Sequence, residues 1–201
     1  MKKLILASAS PRRRELLSNL SVPFEICVSD IEESLPGHLP AELLVKELAL
    51  LKGSAVLKQY LKQGKQDVLV VAADTVVTLN DAVLGKPSTL SEAAAMLRSL
   101  SGRKHEVVSG VCVLDSTLAV CKAQKTKVVF KELTEQMIEE YIMTGEPMDK
   151  AGAYGIQGKA LSFVERLEGD YYNVVGLPMQ LLANILEADF HLDVTDTSIF
   201  E

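Results

Sequence analysis

Apolar and polar positions follow two rhythms along this chain, one of period two and one of period three to four. The changes of rhythm mark its predicted elements. Residues 3–7 (KLILA) read as a short strand. It feeds a helix from Pro11 to about Leu20, with Ser10 as N-cap, Pro11 at the first helical position and an apolar stripe of Leu16, Leu17 and Leu20. Residues 24–29 give a second short strand, followed by the acidic, turn-prone DIEESLPGHLP. Pro40 opens a long helix to about Gln63. The segment DVLVVAADTVVTL is the clearest buried strand, continuously apolar from Val68 to Ala73, and NDAVLGKP reads as a turn and a loop. Ser91 is placed to cap a helix whose Ala93, Met96, Leu97 and Leu100 share a face, with Gly102 as its stop. Residues 107–114 and 118–130 suggest a long hairpin, and Thr134 begins a helix that ends at Gly145. A glycine-studded loop, DKAGAYGIQG, precedes a strand at 161–167 and a last helix at 177–186, with a loose acidic tail from Asp189. Helices and strands mix throughout, so the expected class is α/β or α+β with a substantial sheet.

Composition narrows the picture. A chain of 201 residues, 48% hydrophobic and 24% charged, is long enough for one ordinary domain or a compact two-lobed one with a sizeable core. Its net charge of −6 argues against a general nucleic-acid binder. The apolar part of MKKLILASAS is too short for a signal peptide, and no run approaches the roughly 20 residues of a membrane span, so a cytoplasmic protein is expected. Cys27, Cys112 and Cys121 are odd in number and lie in strand-like stretches, which favours reduced core thiols.

Against that acidic background, Arg12, Arg13 and Arg14 fill the first turn of the first helix, where a cation is unfavourable by about 0.3–1 kcal/mol. They are either solvated on an exposed turn or, with Ser8 and Ser10, part of an anion pocket past a strand end. Asp74 follows the most apolar run as a strand-end acid. It either caps a turn or points into the same crevice as metal ligand or general base, with Thr75 beside it. Lys52 lies four residues from both Leu48 and Val56 on the inward stripe of its helix, so it either snorkels or reaches a buried anion. Lys86, Glu32 and Glu33 are weaker signals, and Gly152, Gly155 and Gly158 surround Gln157, whose amide both donates and accepts. The three histidines stand apart, and there is no G-x-x-x-x-G-K-[ST] loop, G-x-G-x-x-G or G-x-S-x-G. Arginines, lysines and a few carboxylates without a covalent nucleophile suit hydrolysis of a phosphoanhydride with a divalent metal.

LILASASPRRRELL, AADTVV, LGKP, MLRSLSGRKHEVVSGV, EPMDKAGAYGIQG and GDYYNVVGLP, in that order from about Lys3 to Leu186, resemble the Maf proteins. The resemblance implies an elongated mixed α/β sheet flanked by helices, two lobes around a deep cleft, and a likeness to inosine-triphosphate pyrophosphatases. It implies a single domain over 1–188 and a homodimer. The activity it implies is hydrolysis of dTTP, UTP or modified pyrimidine triphosphates to the monophosphate and pyrophosphate, a house-cleaning of nucleotide pools. The cofactor would be Mg²⁺, with Mn²⁺ or Co²⁺ as substitutes. Carried over residue by residue, Asp74 is the catalytic acceptor, Lys52 and Lys86 bind phosphate, and Glu33 (or Glu32) is the acid of the early strand-end motif; on the anion-pocket reading Ser8, Arg12 and Arg13 are expected to join the phosphate clamp, and Glu33 with Asp74 to hold metal. Arg12, Thr75 and Gln157 govern substrate choice. Gly53 stands where alanine is expected and Ser109 where threonine is usual, both read as neutral. Two rivals are a nucleotide-binding regulator of septum formation that needs no turnover, and a phosphohydrolase that removes only the terminal phosphate.

Overall fold

The apolar runs become strands of one sheet in the computed structural model, which describes residues 2–20, 22–29, 31 and 39–194. The elements are β1 (Lys3–Leu6), α1 (Pro11–Leu17), β2 (Phe24–Ile26), α2 (Ala41–Lys62), β3 (Val68–Leu79), β4 (Ala82–Leu84), α3 (Leu90–Leu100), β5 (Lys104–Leu114), β6 (Ala119–Phe130), α4 (Glu135–Ile142), β7 (Val164–Glu168), α5 (Tyr171–Val175) and α6 (Met179–Phe190). Sheet order is β2-β1-β3-β5-β6-β7, with β4 paired to β3. β1 is parallel to β2 and to β3, whereas β4 and β7 join antiparallel, so the mixed α/β class is found as expected. No helix among the described residues is long and apolar enough to cross a membrane. The expected acidic turn at Glu32, Glu33 and His38 and the end of the tail, 195–201, lie outside the described residues.

Several local expectations change. β3 does not stop at Asp74 but runs five residues further, so Asp74 is a mid-strand acid and caps no turn. Asn80 and Asp81 adopt φ of +50° and +65°, the two-residue turn that returns the chain as β4. Thr89, not Ser91, caps α3, its hydroxyl accepting from the Glu92 N–H at 3.1 Å. α5 lies where the sequence suggested only a connection, and α6 runs on to Phe190 with Leu192 and Val194 buried beyond it. The expectation of three reduced thiols is also corrected, because Cys112 and Cys121 form a disulfide with their Cα atoms 4.1 Å apart. The Asp115 N–H bonds the Leu118 carbonyl at 2.9 Å, and continuing that register puts residue 112 opposite residue 121 in a close cross-strand pair.

The chain divides into two compact units, one of Met1–Asp74, Ser109–Gln124 and Gly176–Glu201, the other of Thr75–Val108 and Lys125–Val175. In the first, Ile5, Ala7, Val70 and Ala72 lie in one core cluster with Ala49 and Val56 of α2. Two glycines let α2 lie very close to the sheet. A Cβ on Gly110 would fall 2.4 Å from the Val45 carbonyl oxygen, and one on Gly53 would fall 2.5 Å from Leu114 Cδ2 and 3.2 Å from Ala72 Cβ. An alanine at 53 makes the end of the Leu114 side chain move, whereas one at 110 meets backbone.

In the second unit, α3 and α4 cover Val77, Val107, Val128 and Phe130. His105 is buried within this core, edge-on to Phe130 at 4.8 Å and paired through Nε2 with the Tyr154 hydroxyl at 2.8 Å. Burial lowers its imidazole from the ordinary value to about 4. The unfolded chain thus takes up a proton below about pH 6.5 that the folded chain refuses until about pH 4. Stability is expected to fall by about 3 kcal/mol as pH drops through that window. Urea unfolding at both ends checks this: His105→Gln should lose much less on acidification, and an identical loss would refute the assignment.

Candidate functional site

The first unit holds Ser8, Arg12, Arg13, Lys52 and Asp74, and it joins Lys52 to Asp74 directly. β1 has β2 on one side and β3 on the other, so the chain reverses its direction of travel across the sheet beside the end of β1. Such reversals leave a crevice at strand ends in α/β sheets. The Ala7 N–H bonds the Val71 carbonyl at 2.8 Å, and continuing the β1–β3 register puts buried Ser8 abreast of Ala73. Ser8 Oγ accepts from the Ser10 N–H at 3.2 Å, and Ser10 Oγ caps α1 by accepting from the Arg13 N–H at 3.4 Å.

The arginine triplet divides by role. Arg14 is exposed, whereas Arg12 and Arg13 are half-buried, and Arg13 Nε donates to the Gly176 carbonyl at 2.8 Å. That bond ties α1 to the GLP segment ahead of α6, so part of the triplet holds the fold as well as offering charge.

Asp74 is 7% exposed, and Lys52 supplies its counter-charge: Lys52 Nζ donates to Asp74 Oδ1 at 2.6 Å. The pair follows from the packing. Side chains alternate along a strand, so Asp74 shares the face of Ala72, and Ala72 is the residue that Gly53 approaches. Lys52, next to Gly53, is thereby brought to Asp74; the anion it reaches is this carboxylate. An aspartate offers about four lone-pair sites and an ammonium three protons, so the bond orients both groups without exhausting either. Thr75 is the next residue of β3 and is half-buried.

In the second unit, Lys86 and Gln157 are both exposed. Their loops are tied by a hydrogen bond from the Gly152 N–H to the Gly85 carbonyl at 3.0 Å. Gly152 has φ of +67°, and a Cβ there would lie 2.8 Å from a Val77 methyl, so both the backbone and the space require glycine. Glu33 lies outside the described residues. Among those described, no three His, Cys, Asp or Glu side chains cluster to hold a metal. Asp74 is one hard oxygen donor, and that suits Mg²⁺, which takes one or two carboxylates and completes its shell with water and phosphate oxygens.

Two polar groups escaped the sequence reading. Asn173 is fully buried, its amide donating to the Val107 carbonyl at 2.9 Å and to Thr126 Oγ1 at 3.0 Å, so it anchors GDYYNVVGLP to the sheet. Glu146 accepts from the Tyr141 hydroxyl and from the Lys159 N–H. The only sequence signal for either was membership in a motif already quoted for its glycines.

Comparison with known proteins agrees with the motif order. The family described as Maf-like protein matches residues 3–189. A dTTP/UTP pyrophosphatase of Bacillus cereus (strain G9842) is 48% identical over 195 residues, 97% of this chain and 99% of that protein. The protein of the same name from Bacillus cereus (strain ATCC 10987 / NRS 248) is 49% identical, covering 97% of this chain and 93% of its own. Among solved structures, the Staphylococcus aureus Ham1 protein superposes with a TM-score of 0.52 at 14% identity, over 94% of this chain and 100% of that one, a likeness of fold.

Proposed function

The chain belongs to the Maf-like family, and from that premise we propose that it is a nucleoside triphosphate pyrophosphatase that hydrolyses dTTP and UTP to the monophosphate and pyrophosphate. The observation that carries this reading is the buried Lys52–Asp74 pair beside the end of β1, a carboxylate with its own cation in an otherwise acidic chain. Relatives at 48–49% identity bearing the pyrophosphatase name support the substrate class.

In the proposed reaction, a water attacks the α-phosphorus while Asp74 accepts its proton. The bond from that phosphorus to the bridging oxygen breaks, and pyrophosphate leaves with the electron pair. Lys52 orients Asp74 and brings a positive charge to the phosphates. Ser8, Arg12 and Arg13 offer hydroxyl and guanidinium donors to the phosphates. Lys86 is assigned to phosphate, and Thr75 and Gln157 to base choice, on the family pattern. Mg²⁺, held by Asp74 with Glu33, would neutralise charge on the phosphates. We read the active form as a cytoplasmic homodimer acting on free nucleotides; the net charge of −6 supports the exclusion of nucleic acid.

Incubation of the purified protein with a panel of triphosphates and Mg²⁺ tests the reading. Cleavage of dTTP and UTP with release of pyrophosphate is expected. Orthophosphate as the sole inorganic product would reassign the reaction to terminal-phosphate removal. Silence on dTTP and UTP while another nucleotide is cleaved would refute the specificity.

A further inference from the structure

The turn that carries Gln157 is fastened at both ends to one carboxylate. The Gly158 N–H donates to the Gly155 carbonyl at 3.1 Å, closing a four-residue turn with Ile156 and Gln157 at its centre. Ile156 is 3% exposed and roots the turn in the protein, leaving Gln157 outside. On the C-terminal flank, Glu146 Oε2 accepts from the Lys159 N–H at 3.3 Å. On the N-terminal flank, the Gly155 N–H donates to the Tyr141 oxygen at 3.2 Å, and the Tyr141 hydroxyl donates to Glu146 Oε1 at 3.1 Å.

The glycines make room for this arrangement. A Cβ on Gly158 would lie 1.9 Å from Glu146 Oε1, so the carboxylate occupies the space a side chain at 158 would need. A Cβ on Gly155 would lie 2.5 Å from Lys150 Cε, and Lys150 Nζ donates to the Glu146 carbonyl at 2.6 Å. Burial and the neighbouring Glu146 both raise the Tyr141 phenol above its ordinary range, so it remains a proton donor at neutral pH. No contact joins Glu146 to the substrate in the proposed reaction; its effect passes through the turn.

We propose that Glu146 is a positioning residue whose carboxylate clasps the 155–159 turn and so holds Gln157 in the one orientation that distinguishes a uracil or thymine edge from a cytosine edge. This rests on the pyrimidine triphosphate reading above. The chemistry is that of an amide reading an imide. Thymine and uracil present an N–H between two carbonyls, cytosine an unprotonated ring nitrogen beside an amino group. A fixed amide matches one pattern and opposes the other, whereas an amide free to rotate by half a turn serves both. Discrimination therefore depends on the clasp as much as on Gln157.

The test uses Glu146→Ala, the volume-conserving Glu146→Gln, and Tyr141→Phe, which removes only the Gly155 arm. Amide hydrogen exchange across 155–159, the thermal midpoint, and kcat/KM for dTTP against CTP are measured on each and on wild type. Glu146→Ala is expected to speed exchange in the turn by about tenfold or more and to lower the dTTP preference about tenfold, the scale of one hydrogen bond to a charged group. The loss should fall mainly on KM for dTTP, with the thermal midpoint close to wild type. Tyr141→Phe should show a smaller shift in the same direction. Faster exchange with unchanged dTTP preference would make Glu146 a structural staple and overturn the proposal, as would unchanged exchange in a folded variant. A wild-type protein that ignores dTTP would instead defeat the pyrimidine reading itself, and that is seen before any variant is compared.

Discussion

Asp74→Asn is expected to lower kcat on dTTP by about 10²–10⁴-fold, the usual worth of a positioned general base. The exchange is isosteric and removes only the capacity to hold a proton. The asparagine oxygen can still accept from Lys52, whose bond to Asp74 spans 2.6 Å, so the local geometry has no reason to collapse. Both side chains are about one-tenth exposed, and the variant removes the Asp74 charge that faces the Lys52 ammonium. A loss of stability should therefore accompany the loss of rate. Replacing Lys52 by methionine in the same chain should restore part of that stability and none of the activity, because both charges are then gone. Binding of a non-hydrolysable triphosphate should change by only a few-fold in Asp74→Asn. A variant that retains more than a third of the wild-type rate would remove Asp74 from the chemistry. A cellular effect on septum formation that survives in the inactive variant would favour a regulator that needs no turnover.

Gly110→Ala is expected to be among the most destabilising single changes in the first unit, although it adds one methyl group. The added carbon would sit 2.4 Å from the Val45 carbonyl oxygen, 2.5 Å from its carbon and 2.9 Å from the Lys46 nitrogen. These are backbone atoms of α2, and a helix cannot move one peptide without moving its neighbours. α2 must lift from β5 along much of its length, opening the packing of Ala49 and Val56 against the sheet. Overpacking of this kind costs about 1–3 kcal/mol, and the rigid partner places Gly110 at the upper end, a fall in Tm of about 6–12 °C. Because α2 carries Lys52, activity should fall with stability. Gly64→Ala is the control: its φ of +75° disfavours alanine, but nothing lies within 4 Å of the new methyl group, so only the smaller cost of backbone strain applies. Equal Tm values for the Gly110 and Gly64 variants would show that the close approach of α2 to the sheet is not required.

Local pattern was enough for most of the elements. The run from Val68 to Ala73 is buried on both faces of the sheet, the stripe through Leu48 and Val56 makes one side of α2, and Ser10–Pro11 starts α1 where its capping chemistry predicts. Each depends on residues within a few positions of one another, and that is the range over which rotamer preference, capping and hydrophobic period act. The same range explains the errors. Thr89 and Ser91 are equally good caps on paper, and α5 is too short to show a period. A charge at the end of an apolar run picked out Asp74 and a charge on an inward stripe picked out Lys52, but neither could be assigned a partner from its neighbours in the chain.

Partnership is what only the tertiary structure decided. Lys52 and Asp74 are 22 residues apart and meet because Gly53 and Gly110 let α2 lie close on the sheet. Cys112 meets Cys121 because a tight turn at 115–118 fixes which strand positions face each other. Glu146 reaches the Gln157 turn because two glycines leave space for its carboxylate and the neighbouring lysine. The sequence by itself determined which segments would be strand or helix and which residue types could do phosphate chemistry, since those properties belong to single residues and short windows. Which carboxylate pairs with which cation was decided by the distance between packed backbones, which depends on every side chain in the core at once.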